Sequence, residues 1–402
     1  MQKNIPDFLI YNQQQKTDYE HLKNINMKIT EEKLNTVIVV SLDGIRFDYP
    51  ERSLGLGFDK IEKEGLKAQY LEPVYQSSTF PAHVSMATGV GPDKHGILHN
   101  SFFDKEKGSY SYSAEADWIE FPPIWAIAEK QGIKTATYFW VGSETPWQNN
   151  KISYFKAPFN VRIGEKEKIE EIISWLEMPE NTKPRLIMTW WHGADSIAHK
   201  LGPDDLQVTR QLIDQDRHLL NLINSIETRG LWSNVTLLVV SDHGMSSISN
   251  FINIKEILKP IAPKATLSLG PAVGHVFLKD LDNIEPVVNM LRSNNNLTVY
   301  KKDELPKGLR LNHPSRTGDV VLVTRAPNML TSRNLSDPPK GMHGYNPKIN
   351  IEMNGIFYAY GNGVDHKSIG QVHQLDIVPT IGSLLNISLP NSMEGKIIKI
   401  DN

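Results

Sequence analysis

Asn35-Thr36-Val37-Ile38-Val39-Val40-Ser41-Leu42 runs straight into Asp43-Gly44. The run is β-branched and does not alternate between apolar and polar positions. That pattern belongs to a strand buried on both faces, hence a central strand of a parallel sheet. An Asp at the carboxyl end of such a strand stands where open α/β sheets place their sites. Taken singly, Asp43 reads equally well as a turn or helix cap. Asn234–Val240 has the same character and closes on Ser241-Asp242-His243-Gly244. A third strand, Arg185–Trp191, leads into His192-Gly193-Ala194-Asp195 and, four residues on, His199.

Helical patterns separate these strands. Phe58–Gly65 reads as a short helix, and Pro122–Gly132 as one with Pro in its first turn and Gly at its end. A strand is expected at Lys134–Trp140. A charged amphipathic helix is expected within Asn160–Glu180, and a long one over Pro203–Thr228. The latter carries a core stripe of Leu206, Leu212, Ile213, Leu219, Leu220 and Ile223. The alternation predicts an α/β fold, a doubly wound and mostly parallel central sheet flanked by helices. From about 251 to 335 the texture changes to short strands around one helix, Asn283–Ser293, predicting a small α+β insertion. Met329–Met342 reads as a loop, and the chain closes with a strand, Asn354–Tyr360, and a helix, Gln374–Leu385. Residues 1–34 read as an N-terminal extension with a short helix near Glu20-His21-Leu22, and 35–402 as the catalytic domain.

Bulk composition narrows the chemistry. With 402 residues, 40 % of them apolar, the chain can bury a large core. A net charge of −3, from 43 basic and 46 acidic residues, argues against stable nucleic-acid binding. There is no cysteine, which excludes disulfides, thiolate zinc sites and a cysteine nucleophile. A metal site must therefore draw on the 13 histidines and the carboxylates. No apolar run approaches the length of a membrane span. No signal peptide is visible in the first thirty residues.

Gln76-Ser77-Ser78-Thr79-Phe80-Pro81-Ala82-His83 precedes a helical segment expected at Val84–Thr88. Thr79 at such a junction reads as a nucleophile beside free helix N–H groups, which suit a phosphate. The bland alternative is a helix cap. What favours chemistry is the company: Asp43, Asp195, His199, Asp242, His243 and His343 all fall after predicted strands or in glycine-marked loops. Six such residues supply two open, three-ligand metal sites. Two metals can clamp the attacking and leaving oxygens of a phosphoryl displacement.

The chain resembles the nucleotide pyrophosphatase/phosphodiesterases of the alkaline phosphatase superfamily. The resemblance runs from about Thr36 to Leu385. It is carried by VIVVSLDGIR (Val37–Arg46), PVYQSSTFPAHVSMATG (Pro73–Gly89), HGILHN (His95–Asn100), FWVGS (Phe139–Ser143), DSIAHKLGP (Asp195–Pro203), SDHGM (Ser241–Met245), GDVVLV (Gly318–Val323) and GMHGY (Gly341–Tyr345). It implies an alkaline phosphatase-like fold and two zinc ions as cofactors. One would be held by Asp43, Thr79, Asp242 and His243, the other by Asp195, His199 and His343. Thr79 would form a covalent phospho-threonine. Asn100 would grip a phosphate oxygen together with the Phe80 backbone N–H. Val141 and Ala194 replace prolines common in the family, which bears on loop shape.

An alkaline phosphatase-like monoesterase would need an Arg beside the nucleophile, and a sulfatase a C/S-x-P-x-R motif; neither is present. Diesters fit best. The resemblance implies a small-molecule nucleotide stacked between Phe80 and a second aromatic, for which Phe159 leads and Phe155 and Tyr154 follow. The expected function is a zinc-dependent nucleotide pyrophosphatase/phosphodiesterase releasing a nucleoside monophosphate. The alternative is a lysophospholipase or choline-phosphodiester hydrolase of the same fold. Because such an enzyme would consume cytoplasmic nucleotides, export is favoured.

Overall fold

The computed structural model describes residues 34–401. Nearly all of the expected N-terminal extension, with its short helix at Glu20-His21-Leu22, lies outside the described residues. The central sheet has eight strands: β1 (Thr36–Leu42), β2 (Leu66–Ala68), β3 (Thr135–Tyr138), β4 (Tyr154–Lys156), β5 (Leu186–Trp191), β6 (Val235–Val240), β7 (Phe357–Gly361) and β8 (Lys367–Ile369). Their order is β8-β2-β7-β6-β1-β5-β3-β4. β6, β1, β5, β3 and β4 run parallel, whereas β7 is antiparallel to both its neighbours.

All seven residues of β1 are buried, and the sheet has two cores. Val37 and Val39 enter one, with side chains from α2 (Thr79–Thr88), α3 (Ile124–Lys130) and α7 (Ile377–Leu385). Ile38, Val40 and Leu42 enter the other, with side chains from α1 (Gly57–Glu64), α4 (Glu165–Leu176) and α6 (Leu206–Glu227). Successive side chains of a strand point to opposite faces, and here both faces are covered, so apolar residues fill Val37–Val40 and Leu42, with only Thr36 and Ser41 polar. Each fully buried aliphatic contributes about 1.5–3 kcal/mol. On α6 the buried stripe is Val208, Leu212, Leu219, Leu222, Ile223 and Ile226. Leu206, expected in that stripe, is 74 % exposed. It is the first helical residue, just after the Asp205 cap that accepts the Gln207 N–H, and precedes the turn that faces the sheet.

The α+β insertion forms a separate antiparallel sheet, in the order Thr266–Leu269, Val273–Phe277, Val320–Val323, Thr298–Lys301, with the helix Ile284–Arg292. Ile254, Val276, Val287, Leu291, Val320 and Leu322 make its own core. Within the loop expected at Met329–Met342, Asn328–Thr331 pairs in parallel with Asn250–Asn253. Among the described residues, no helix is long and apolar enough to cross a membrane.

Candidate active site

Three adjacent parallel strands, β6, β1 and β5, end at the same edge of the sheet. Asp242 and His243 follow β6, Asp43 follows β1, and Asp195 follows β5 after a three-residue turn. The turns interlock: Ala194 N–H donates to Asp43 O (2.8 Å), and Gly44 N–H to Asp242 Oδ1 (3.0 Å). This approach requires glycine. Gly193 has φ +58°, and a Cβ there would lie 1.8 Å from Asp43 O.

A short helix, α5 (Asp195–Leu201), begins at Asp195 and places His199 one turn on. His199 Nε2 lies 3.1 Å from Asp195 Oδ1. His343 follows a two-residue strand, Gly341–Met342, and its Nε2 lies 3.6 Å from the same oxygen. The six residues thus form two groups, Asp43/Asp242/His243 and Asp195/His199/His343, with ligand atoms within 4.8 Å of one another in each. The groups adjoin where the His243 and His343 rings stack at 3.6 Å.

Each group has the features of a cation site. The three histidines direct Nδ1 at backbone carbonyls: His199 at Gly341 O (2.9 Å), His243 at Gly244 O (2.9 Å) and His343 at Ser77 O (3.0 Å). A carbonyl only accepts, so Nδ1 carries the hydrogen and each Nε2 presents a lone pair inward. This outer hydrogen bond is what orients imidazoles that bind metals. Asp43 Oδ1, Asp195 Oδ1 and Asp242 Oδ2 are buried without a hydrogen-bond partner. With the His199 proton on Nδ1, Asp195 Oδ1 and His199 Nε2 face each other as two lone pairs, an arrangement a shared cation satisfies. The electrostatics differ between the two groups. Burial, then the charges of Asp242 and Asp195, pushes the Asp43 carboxyl well above the usual carboxylate range. Burial, with His243 and His199 nearby, keeps His343 well below the usual histidine range. Burial opposes the ionised forms of Asp195 and His199 too, but their mutual attraction outweighs it: Asp195 is lowered and His199 raised. Three carboxylates crowded into a buried site call for positive charge.

Thr79 is the first residue of α2, which starts five residues earlier than the sequence pattern suggests. Pro81 falls in the first turn, where its missing N–H breaks no helical bond. Ser78 precedes the helix, but its side chain does not cap it; its hydroxyl lies 3.2 Å from His99 Nε2. The Thr79 hydroxyl donates to His243 Nε2 (3.2 Å), and His83 Nδ1 donates to Thr79 O (2.7 Å). The Phe80 N–H, expected to face a phosphate, instead donates to Asn100 Oδ1 (2.9 Å). A first-turn N–H has no partner within its helix and takes the nearest acceptor. The bond leaves the Asn100 Nδ2 hydrogens as the donors of this pair.

A cavity of about 570 Å³ opens over Thr79, lined also by Asp43, Asn100, Asp195, His199 and His343. Asp242 and His243 lie behind it, fully buried. Its outer wall is aromatic. Phe159 stacks on Trp190 (4.8 Å, 23°) and meets Phe139 edge-on (5.3 Å). Phe80 meets Tyr112 edge-on (5.2 Å, 88°). Phe80 and Phe159, both singled out from the sequence, line the cavity; Phe155 and Tyr154 belong to edge strand β4 and do not. Trp190, Tyr112 and Phe139 were not anticipated. Trp190 sits at the end of β5, a position that marks site residues in such sheets, and Phe139 opens the FWVGS stretch; Tyr112 carries no comparable signal.

The family model described as "Type I phosphodiesterase / nucleotide pyrophosphatase" matches residues 37–346. A bovine bis(5'-adenosyl)-triphosphatase is 27 % identical over 363 residues, covering 87 % of this chain and 78 % of that protein. Venom phosphodiesterase 2 of Crotalus adamanteus is 28 % identical over 348 residues, covering 83 % of this chain but only 43 % of the venom protein. Murine ectonucleotide pyrophosphatase/phosphodiesterase 5, solved as an inactive Thr-to-Ala variant in complex with AMP, superimposes with a TM-score of 0.83 at 28 % identity, covering 90 % of this chain and 97 % of that one.

Proposed function

Since the chain belongs to the type I phosphodiesterase/nucleotide pyrophosphatase family and is a hydrolase, we propose that it cleaves nucleotide phosphodiester or phosphoanhydride bonds and releases a nucleoside monophosphate. The observation that carries this reading is two three-residue N/O clusters, one bonded to the Thr79 hydroxyl through His243 and the other lining the same aromatic-walled cavity.

Asp43, Asp242 and His243, with Thr79, would hold one zinc ion, and Asp195, His199 and His343 the other. Nitrogen and oxygen ligands, three to a site, leave each ion open positions. Bound there, the ions would supply Lewis acidity, easing loss of the threonine proton and offsetting phosphate charge. Thr79 Oγ1 attacks phosphorus as the bond to the leaving oxygen breaks, giving a phospho-threonine that carries the nucleoside. Water then cleaves the Thr79–phosphorus bond and frees the monophosphate. Asn100 Nδ2 donates to a phosphate oxygen, as oxyanion donors do. His83 holds the Thr79 backbone in place. Phe80 and Phe159 offer faces to a base, worth about 1–3 kcal/mol for each base stacked. The murine relative, described as inactive when a threonine is replaced and as binding AMP, supports both the nucleophile and the substrate class. The bovine relative's name supports dinucleotides.

The exposed apolar side chains at the cavity mouth, Phe159 and Val161, favour one competitor, the choline-phosphodiester hydrolase. Hydrolysis of p-nitrophenyl thymidine monophosphate, p-nitrophenyl phosphocholine and p-nitrophenyl phosphate, with and without chelator, separates the two. The nucleotide ester is expected to be preferred, with turnover abolished in Thr79→Ala while the protein still folds. Preference for the phosphocholine ester refutes the substrate; turnover that survives the Thr79 change refutes the mechanism.

A further inference from the structure

Tyr112 is at odds with ordinary folding economy. It is 63 % exposed. Its backbone is left-handed, at φ +46°, a conformation bulky side chains rarely adopt. Such residues persist where the surroundings impose them, and they cluster at functional sites. The surroundings here are a short hairpin, Ser101–Asp104 paired with Gly108–Ser111, after which the Tyr112 N–H donates to Asn100 O (2.9 Å). Tyr112 is thereby tied to the segment that also holds the Phe80 N–H. Among the described residues its one aromatic neighbour is Phe80, at right angles, and its side chain lines the cavity.

We propose that Tyr112 is a substrate-contacting specificity residue, forming with Phe80 an aromatic corner that takes a planar heteroaromatic base. The inference rests on the nucleotide reading above and adds a residue to it. A flat base lying on one ring turns its rim towards the face of the other, so both its face and its rim are touched. The strained, solvent-facing tyrosine is then retained for binding and not for the fold.

Three variants test it, each read as the ratio of kcat/KM for p-nitrophenyl thymidine monophosphate to that for bis(p-nitrophenyl) phosphate, which carries no base. Tyr112→Ala is expected to lower this ratio about 10-fold, through KM. Tyr112→Phe is expected to keep it. Tyr112→Gly, for which the left-handed backbone is unstrained, is expected to lose selectivity like Tyr112→Ala yet melt no lower than wild type. A purely structural role would make stability and activity fall together. Equal loss on both esters overturns the inference and assigns Tyr112 to support of Asn100. An unchanged ratio, or an effect confined to p-nitrophenyl phosphocholine, overturns it as well. Wild-type enzyme without nucleotide preference refutes the underlying reading, whatever the variants do.

Discussion

Gly193→Ala probes whether the close approach of two turns builds the candidate metal site. Gly193 lies between β5 and Asp195, at φ +58°. Its missing Cβ would sit 1.8 Å from Asp43 O and 2.5 Å from Asp43 N and C. Those are backbone atoms and cannot swing aside. The turns must separate by about 1.2 Å to reach the 3.0 Å that real Cβ contacts respect. Asp43 belongs to one ligand group and Asp195 to the other, so both are displaced. A left-handed alanine costs about 1–2 kcal/mol, and overpacking of this kind about 1–3 kcal/mol more. At roughly 2 °C per kcal/mol for a chain of this size, Tm should fall by roughly 4–10 °C. Misplacement near 1 Å costs about 10²-fold in rate. The assay is thermal melting and p-nitrophenyl thymidine monophosphate turnover, with Gly132→Ala as the comparator. Gly132 has φ +80° and nothing within 4 Å of its would-be Cβ, so that variant bears the backbone cost alone. If Gly193→Ala melts and turns over like Gly132→Ala, the packing of these turns does not place the carboxylates, and the reasoning fails.

Two further predictions follow from the charges. Chelation should abolish turnover and lower Tm, because Asp43, Asp195 and Asp242 then stay buried and mutually repulsive; about two equivalents of zinc should restore both, and a Tm unmoved by chelator would count against bound metal. Glu165 is held down to about 2, since hydrogen bonds from His192 and the charge of Lys168 outweigh burial, which acts to raise it. Its contribution to stability is present above the unfolded value near 4.5 and is lost as pH falls from there towards 2. Glu165→Gln should flatten the acid limb of the stability curve over that interval, as read by denaturant midpoints; an unchanged limb would show the interaction to be inert.

Much of the site was legible because its ligands follow strands with an unmistakable pattern. Asp43 and Asp242 could be read from mostly apolar, non-alternating runs that stop abruptly, and Asp195 with His199 from a four-residue spacing that one helical turn satisfies. The start of α2 was not legible, because Pro81 and the serines before it resemble a loop until the packing of His83 and Trp140 is seen. Leu206 was misjudged because helical periodicity does not say which turn first meets the sheet. The partner of the Phe80 N–H could not be foreseen, since Asn100 is twenty residues away and reaches it only through the fold.

By itself, then, the sequence determined the doubly wound sheet, the seven side chains proposed as metal ligands and nucleophile, and the absence of thiol chemistry. These follow from periodicity and residue type, which are local. Tertiary structure alone decided how the two candidate groups adjoin through the stacked His243 and His343 rings, that each imidazole turns its lone pair inward, and that Trp190 and Tyr112 join Phe80 and Phe159 around the cavity. Those depend on carbonyls, glycines and rings brought together from distant segments, and no local pattern encodes such contacts.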